Sequence, residues 1–179
     1  MKSKFGKFID EVLDLLKSIV IAFAIIVLTF TFFCRTARVN GESMENTLLH
    51  GDFLVLYNFF YTPEAGDIIS ANCEGLNEVI IKRIIATEGQ TVDIDFSTGK
   101  VYVDGEVIDE PYIKNLTIND EHGHTYPITV PKGKYFVMGD NRQGSLDSRS
   151  GVVGFVDRED VLGKAILRLF PFNRLTILK

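Results

Sequence analysis

Two residues carry most of the chemistry this sequence offers: Ser43, in Gly41-Glu42-Ser43-Met44, and Lys82, in Glu78-Val-Ile-Ile-Lys-Arg-Ile-Ile-Ala86. A serine in a glycine-flanked turn presents its hydroxyl beside free backbone N–H groups, which is what a nucleophile with an oxyanion pocket requires. By itself such a serine is also ordinary turn chemistry. Lys82 is harder to account for. In an extended segment the period of two puts it on the face of Ile80, Ile84 and Ala86, with Arg83 on the other, so one of the two cations must sit among apolar neighbours. An unpaired ammonium is costly there. Unless it snorkels at a sheet rim, burial favours loss of its proton, and a neutral lysine is a competent general base for a serine hydroxyl. A third segment, 138–155, is crowded with hydrogen-bonding side chains: Asp140, Asn141, Arg142, Ser145, Asp147, Ser148 and Arg149. Asp147 and Arg149 are spaced to pair, and the serines are suited to fixing an amine. A polar surface loop is the competing reading.

The elements that must position these residues read as short strands. Segments 53–57, 67–69, 79–85, 91–94, 100–103 and 134–138 are rich in β-branched and aromatic residues and are punctuated by Gly, Pro, Asp and Asn. Residues 101–108 form a hairpin about Asp104-Gly105, a pair that supplies positive φ at low cost. The expected body, 35–179, is all-β, with antiparallel sheets or a partly open barrel. The more polar stretch 109–131 reads as a small insertion on it.

Before this body lie seventeen consecutive residues without a charge, Ser18 to Cys34, with apolar character reaching back to about residue 12. That is the length of a membrane-spanning helix. Bulky Phe32-Phe33 and then Arg35 follow it in place of a small-residue cleavage site, which favours an uncleaved anchor over a signal peptide. Lys2, Lys4, Lys7 and Lys17 precede it, so residues 1–17 are expected in the cytoplasm and the body outside. Charge is distributed to match. Residues 39–160 hold 9 basic and 21 acidic side chains, whereas 161–179 carry Lys164, Arg168, Arg174 and Lys179 with no acid. A basic, apolar tail suits an anionic lipid surface, and the formal net charge of −5 disfavours a general nucleic-acid binder. Cys34 and Cys73 are too few for a disulfide framework. His122 and His124 lack a third ligand at useful spacing, so no metal site is expected.

Taken together, the apolar segment, G-x-S-M with T-L-x-x-G-D, the I-K-R strand, G-D-N-R with S-x-D-S-R, and the closing G-K-A resemble the type I signal peptidases in their short single-anchor bacterial form. These are membrane-bound serine endopeptidases that remove signal peptides from exported preproteins. The resemblance covers nearly the whole chain. It implies Ser43 as nucleophile, Lys82 as general base, Ser145 as the hydroxyl that orients the amine, and Asp147 with Arg149 as a buttressing pair. It also implies the Ser43 main-chain N–H as half of the oxyanion hole. The family's other donor can be a serine hydroxyl two residues earlier, where this chain has Gly41, so that donor is left open. Asn46 stands where proline is frequent, and Gln143-Gly144 where Asp-Asn is frequent. Neither change touches a proton-transfer group.

On this reading the chain is an enzyme of the bacterial plasma membrane that needs no metal or cofactor. Its partners are the signal peptides of preproteins and the lipid bilayer. A signal peptide is expected to add as a strand beside Val39-Asn40 and Ile80-Ile81. The residues one and three before the cut then share a face and enter pockets lined by Val39, Met44, Leu48, Ile80 and Ile81, which favour small side chains. His50 lies near Ser43 and raises a Ser-His-Asp alternative, but the resemblance gives the base to Lys82. Self-cleaving SOS-type repressors share the Ser–Lys pair but carry a DNA-binding helical domain in place of the apolar segment. A non-catalytic signal-peptidase-like assembly factor would lack one of the pair.

Overall fold

The computed structural model describes residues 4–32 and 34–178. One long helix, α1 (Lys4–Phe32), leads into twelve strands. The helix is built from a glycine- and proline-free run after Gly6, and Ser18 returns its hydroxyl to the Asp14 carbonyl at 2.9 Å. Its apolar side chains, among them Val20 and Phe23, stand mostly exposed. Among the described residues no helix is long and apolar enough to cross a membrane. The span expected over 18–34 runs through Phe33, which lies outside the described residues, and the side chains of 29–34 lie outside them too.

The strands are β1 (Cys34–Arg38), β2 (Phe53–Tyr57), β3 (Ile68–Cys73), β4 (Glu78–Ala86), β5 (Thr91–Asp95), β6 (Lys100–Val103), β7 (Glu106–Val107), β8 (Ile128–Thr129), β9 (Lys134–Met138), β10 (Val156–Asp157), β11 (Val161–Phe170) and β12 (Thr176–Ile177). They form two sheets, and all of their pairings are antiparallel. The larger runs β1-β2-β11-β3-β4-β9-β10, with β12 on β11, and the smaller runs β7-β6-β5-β8. The larger sheet is open, since β1 and β10 end it without pairing to each other. In the β6–β7 hairpin Asp104 and Gly105 both have positive φ, 53° and 84°, which a two-residue turn of this twist demands. Residues 109–127 link β7 to β8 of the smaller sheet with no regular strand, crossing on the way over the loop after β9, where Lys114 N–H donates to the Asp140 carbonyl (2.8 Å).

The core explains why β4 is the axis of the molecule. Every residue from Ile80 to Ala86 is buried. On one side Ile81 packs with Val39, Met44, Leu48, Leu54, Leu56 and Ile68. On the other Ile80 and Ile84 pack with Ile69, Ala71, Tyr135 and Val137. A strand covered on both faces reads as a continuous apolar run, and this one is interrupted only by Lys82-Arg83.

The tail departs from the sequence expectation in its first half. Residues 161–168 are not a surface segment: β11 lies inside the larger sheet between β2 and β3, and Ala165 and Arg168 are buried. Three register shifts, two against β2 and one against β3, and the buried Arg168 hide its period of two. The guanidinium is held by the Thr47 carbonyl (2.9 Å), the Arg174 carbonyl (2.7 Å) and Asp52 (3.4 Å). Beyond it, Phe170, Phe172, Leu175 and Ile177 remain exposed.

Candidate active site

Ser43 sits in a loop whose neck is closed by two backbone bonds. Val39 N–H donates to the Asp52 carbonyl and Gly51 N–H to the Val39 carbonyl, both at 2.9 Å. Inside the neck the chain turns tightly, with Glu45 N–H donating to the Glu42 carbonyl (3.0 Å) and Leu48 N–H to the Met44 carbonyl (2.8 Å). Met44 and Leu48 drop into the core beneath and fix the turn's floor. Above it, Asn141 clamps the turn twice: its main-chain N–H donates to the Ser43 carbonyl (2.9 Å) and its side-chain amide to the Glu42 carbonyl (3.1 Å). Asn46 has φ +88°, a conformation that a proline ring forbids. Its amide donates to the Tyr112 carbonyl at 3.1 Å, so the turn here is tethered to the crossing segment by a side chain. Among the described residues the Ser43 N–H has no acceptor within the chain, which leaves it free to face a substrate oxygen. The Gly41 N–H is not free: it donates to His50 Nδ1 at 3.1 Å.

Lys82 meets Ser43 directly, Nζ to Oγ at 2.8 Å. The amine arrives from the middle of β4, a buried strand, so its approach is fixed by the sheet. Burial pushes the Lys82 ammonium below the ordinary lysine value, against the opposing pull of Asp147. Arg83, on the other face, is equally buried but differently treated. Its guanidinium forms a two-pronged pair with Asp140 (2.9 and 2.8 Å), donates to the Gly66 carbonyl (2.7 Å) and lies 4.0 Å above the Tyr112 ring. Both cations therefore sit in the interior, where strand periodicity asks for only one. Arg83 has a carboxylate partner in Asp140, whereas among the described residues no carboxylate touches Lys82 Nζ.

The polar loop after β9 packs under this pair. Val137 and Ser148 close its base, Ser148 N–H donating to the Val137 carbonyl (3.0 Å) and Val137 N–H to Ser148 Oγ (2.9 Å). Asp147 and Arg149 are fully buried and paired at 2.8 and 2.9 Å, and Asp147 also accepts from Gly139 N–H at 3.0 Å. The rest of the Arg149 guanidinium is absorbed by the Arg142, Ser145 and Asn119 carbonyls. Gly139 admits no side chain, because a Cβ there would stand 2.2 Å from Ser145 Oγ and 2.4 Å from the Ser43 carbonyl oxygen. Ser145 is thus beside the pair, but among the described residues its buried hydroxyl has no hydrogen-bond partner, the amine included.

A cleft of about 490 Å³ opens beside the Ser43–Lys82 pair. Of the expected lining residues it contains Val39, Met44, Ile80 and Ile81, joined by Ala37, Val79 and Leu146. Leu48 is fully buried and does not line it. The strand β4 pairs with β9 only from Arg83 onward, so 78–82 have an open edge on that side. Asp140, Asn141, Asn46 and Arg83 were not singled out for the site by sequence. Their signal was present only as polar residues in a loop and a cation on an apolar strand. Among the described residues no three His, Cys, Asp or Glu side chains assemble as metal ligands.

The family model described as signal peptidase, peptidase S26, matches residues 12–170. The chain belongs to the signal peptidase family. Signal peptidase I P of Bacillus subtilis subsp. natto is 37% identical over 178 residues, covering 93% of each chain. Signal peptidase I T of Bacillus subtilis strain 168 is 36% identical, covering 89% of this chain and 86% of that one. A probable signal peptidase I-2 of Synechocystis is 36% identical over 93% and 77%. A crystal structure of a signal peptidase I from Enterococcus faecalis is 32% identical, with TM-score 0.48 over 59% of this chain and 98% of that one. As a signal peptidase I-type serine protease, the chain is an enzyme, and its family membership makes a serine with an activating group the feature to look for in the cleft.

Proposed function

We propose that this signal peptidase removes signal peptides from exported preproteins with Ser43 as nucleophile and Lys82 as general base. The observation that carries the reading is the 2.8 Å contact between a turn hydroxyl and a buried amine that has no carboxylate partner among the described residues. In its neutral form Lys82 takes the Ser43 proton as Oγ attacks the scissile carbonyl, then returns it to the leaving amine. Water hydrolyses the resulting acyl-enzyme by the same proton path in reverse. The free Ser43 N–H faces the developing oxyanion. Ser145 Oγ, buried without a partner beside the pair, is suited to hold the amine once substrate has closed the cleft. Asp147 and Arg149 keep the loop beneath it in place.

The substrate adds as a strand to the open edge of β4 at 78–82, opposite Val39-Asn40. Its side chains alternate, so those one and three before the cut enter the cleft together. Met44, Ile80 and Ile81 give the cleft an apolar stretch suited to alanine-sized groups, beside the charged lining residues Arg35, Arg38, Glu42 and Glu78.

The helix, whose described apolar side chains from Phe8 to Leu28 stand exposed, anchors the enzyme in the bacterial plasma membrane with its lysine-bearing end in the cytoplasm. The exposed Phe170, Phe172, Leu175 and Ile177, carried with Arg174, rest the body on the outer lipid surface. Incubating the detergent-solubilised enzyme with a preprotein and reading the new N-terminus by mass spectrometry tests the reaction. A single cut after a small residue is expected, and intact preprotein, or cutting after large or charged residues, would refute it.

A further inference from the structure

Resting on the reaction just proposed, we infer that His50 is a positioning residue that holds the nucleophile loop in its working shape by accepting the Gly41 N–H, and does so only as the neutral imidazole. His50 lies seven residues after Ser43, at the far end of the same loop. It is not the base, since Lys82 holds the Ser43 hydroxyl and His50 Nδ1 faces the Gly41 N–H at 3.1 Å.

The placement explains the effect. The loop from Asn40 to His50 is pinned at its neck by the Val39–Asp52 and Gly51–Val39 bonds. Within it Gly41 is exposed, has φ +94° and has no atom within 4 Å of where a Cβ would stand, so packing does nothing to hold this residue. Among the described residues its tie to the far end of the loop is the bond to His50, and it lies two residues before Ser43. A glycine with that freedom samples many backbone states when released, and the Ser43 N–H and hydroxyl would move with it.

An imidazole accepts at Nδ1 only when the proton is on Nε2 alone, and a protonated ring has two donors and no acceptor. Protonation therefore turns the contact from a bond into a clash of two N–H groups. The charges nearby do not substitute for it. The Asp52 carboxylate is taken by the Leu49 N–H (2.9 Å), Arg168 and Arg174. Glu42 precedes Ser43 on the same exposed stretch. From β1, Arg38 reaches to 4.0 Å from the position a Gly51 Cβ would occupy.

Two substitutions separate positioning from bulk structure. In His50→Asn the side-chain Oδ1 takes the place of Nδ1 and accepts at every pH, whereas in His50→Gln the acceptor is one bond too far out. On a preprotein at pH 8, His50→Asn is expected to keep turnover within about twofold of the parent. His50→Gln and His50→Ala should lose roughly five- to tenfold in kcat with KM little changed, the scale of one hydrogen bond. On the acid side the parent should lose activity with two protons, one on Lys82 and one on His50, and His50→Asn with one. Parent-like turnover by His50→Ala, or equal acid slopes for parent and His50→Asn, would overturn the inference. Amide exchange of ¹⁵N-glycine-labelled full-length enzyme reads the same bond without catalysis. The Gly41 N–H should be protected above the range where imidazoles take up a proton and unprotected below it, with protection throughout in His50→Asn. If the bond behaves so and no preprotein is cut, the proposed reaction fails and the bond stands. If preprotein is cut and Gly41 exchanges identically in parent and His50→Ala, the inference alone fails.

Discussion

Asp147→Asn is the substitution whose cost follows most directly from the structure. Asp147 and Arg149 are both fully buried, and the carboxylate accepts two guanidinium bonds, the Gly139 N–H and, at 3.3 Å, the Arg149 N–H. Asparagine keeps the shape and one oxygen but loses the charge and one acceptor, while Arg149 stays charged in the interior. Removing one partner of a buried pair costs about 3–5 kcal/mol, and the retained oxygen and the three carbonyls on Arg149 place this case at about 3 kcal/mol. For a domain of this size that is a fall in melting temperature of roughly 6–12 °C. All six tyrosines lie between 57 and 135 and the chain has no tryptophan, so tyrosine fluorescence during urea unfolding reports the β body and not α1. Because Gly139 loses its acceptor and lies against Ser43 and Ser145, turnover should also fall by roughly tenfold. Replacing both partners, Asp147→Leu with Arg149→Met, should recover most of the stability and little of the activity. A loss below about 1 kcal/mol for Asp147→Asn, or a double variant no more stable than the single, would refute the claim that this pair holds the loop.

Lys82→Met should abolish cleavage yet stabilise the body. The folded chain binds fewer protons at this site than the unfolded chain between the lowered value of Lys82 and the ordinary 10.5, so parent stability rises with pH across that window and the cost is greatest below it. The gain from Lys82→Met is therefore expected to be larger at pH 7 than above pH 10 in urea titrations, and an equal gain at both would contradict a buried amine that gives up its proton. Gly139→Ala should lower turnover by roughly a hundredfold, because the Ser43 carbonyl it would strike is backbone and cannot swing aside; parent-like turnover would show that the loop has slack. Protease added outside intact cells should degrade the body, and protection until lysis would reverse the proposed topology.

How much of this was legible in sequence varies by element, and the reasons are physical. Strands β2, β6 and β9 have the bounds expected from their β-branched and aromatic runs, and the Asp104-Gly105 turn follows from its two positive φ values. The strand β11 was not legible, because bulges and the buried Arg168 break the alternation that marks a strand. The Ser43–Lys82 contact was anticipated from a lysine with no structural reason to be where it is. The burial of Arg83 was not legible because its compensation comes from Asp140, fifty-seven positions away, and strand periodicity carries no information about such a partner. The clamps on the nucleophile turn were missed for the same reason: Asn141 and Asn46 act through backbone carbonyls that have no sequence signature.

The central claim is that a neutral Lys82 takes the proton of Ser43, and the pH dependence of kcat/KM on a preprotein tests it most directly when measured for parent, Ser43→Ala and Lys82→Ala with the fold of each checked by tyrosine fluorescence. The parent's rate should rise as Lys82 loses its proton at a pH well below the ordinary lysine value of 10.5, and both variants should be folded and inactive at every pH. Near-parent cleavage by folded Lys82→Ala, or a parent rate that rises only as ordinary lysines lose their protons, would contradict it.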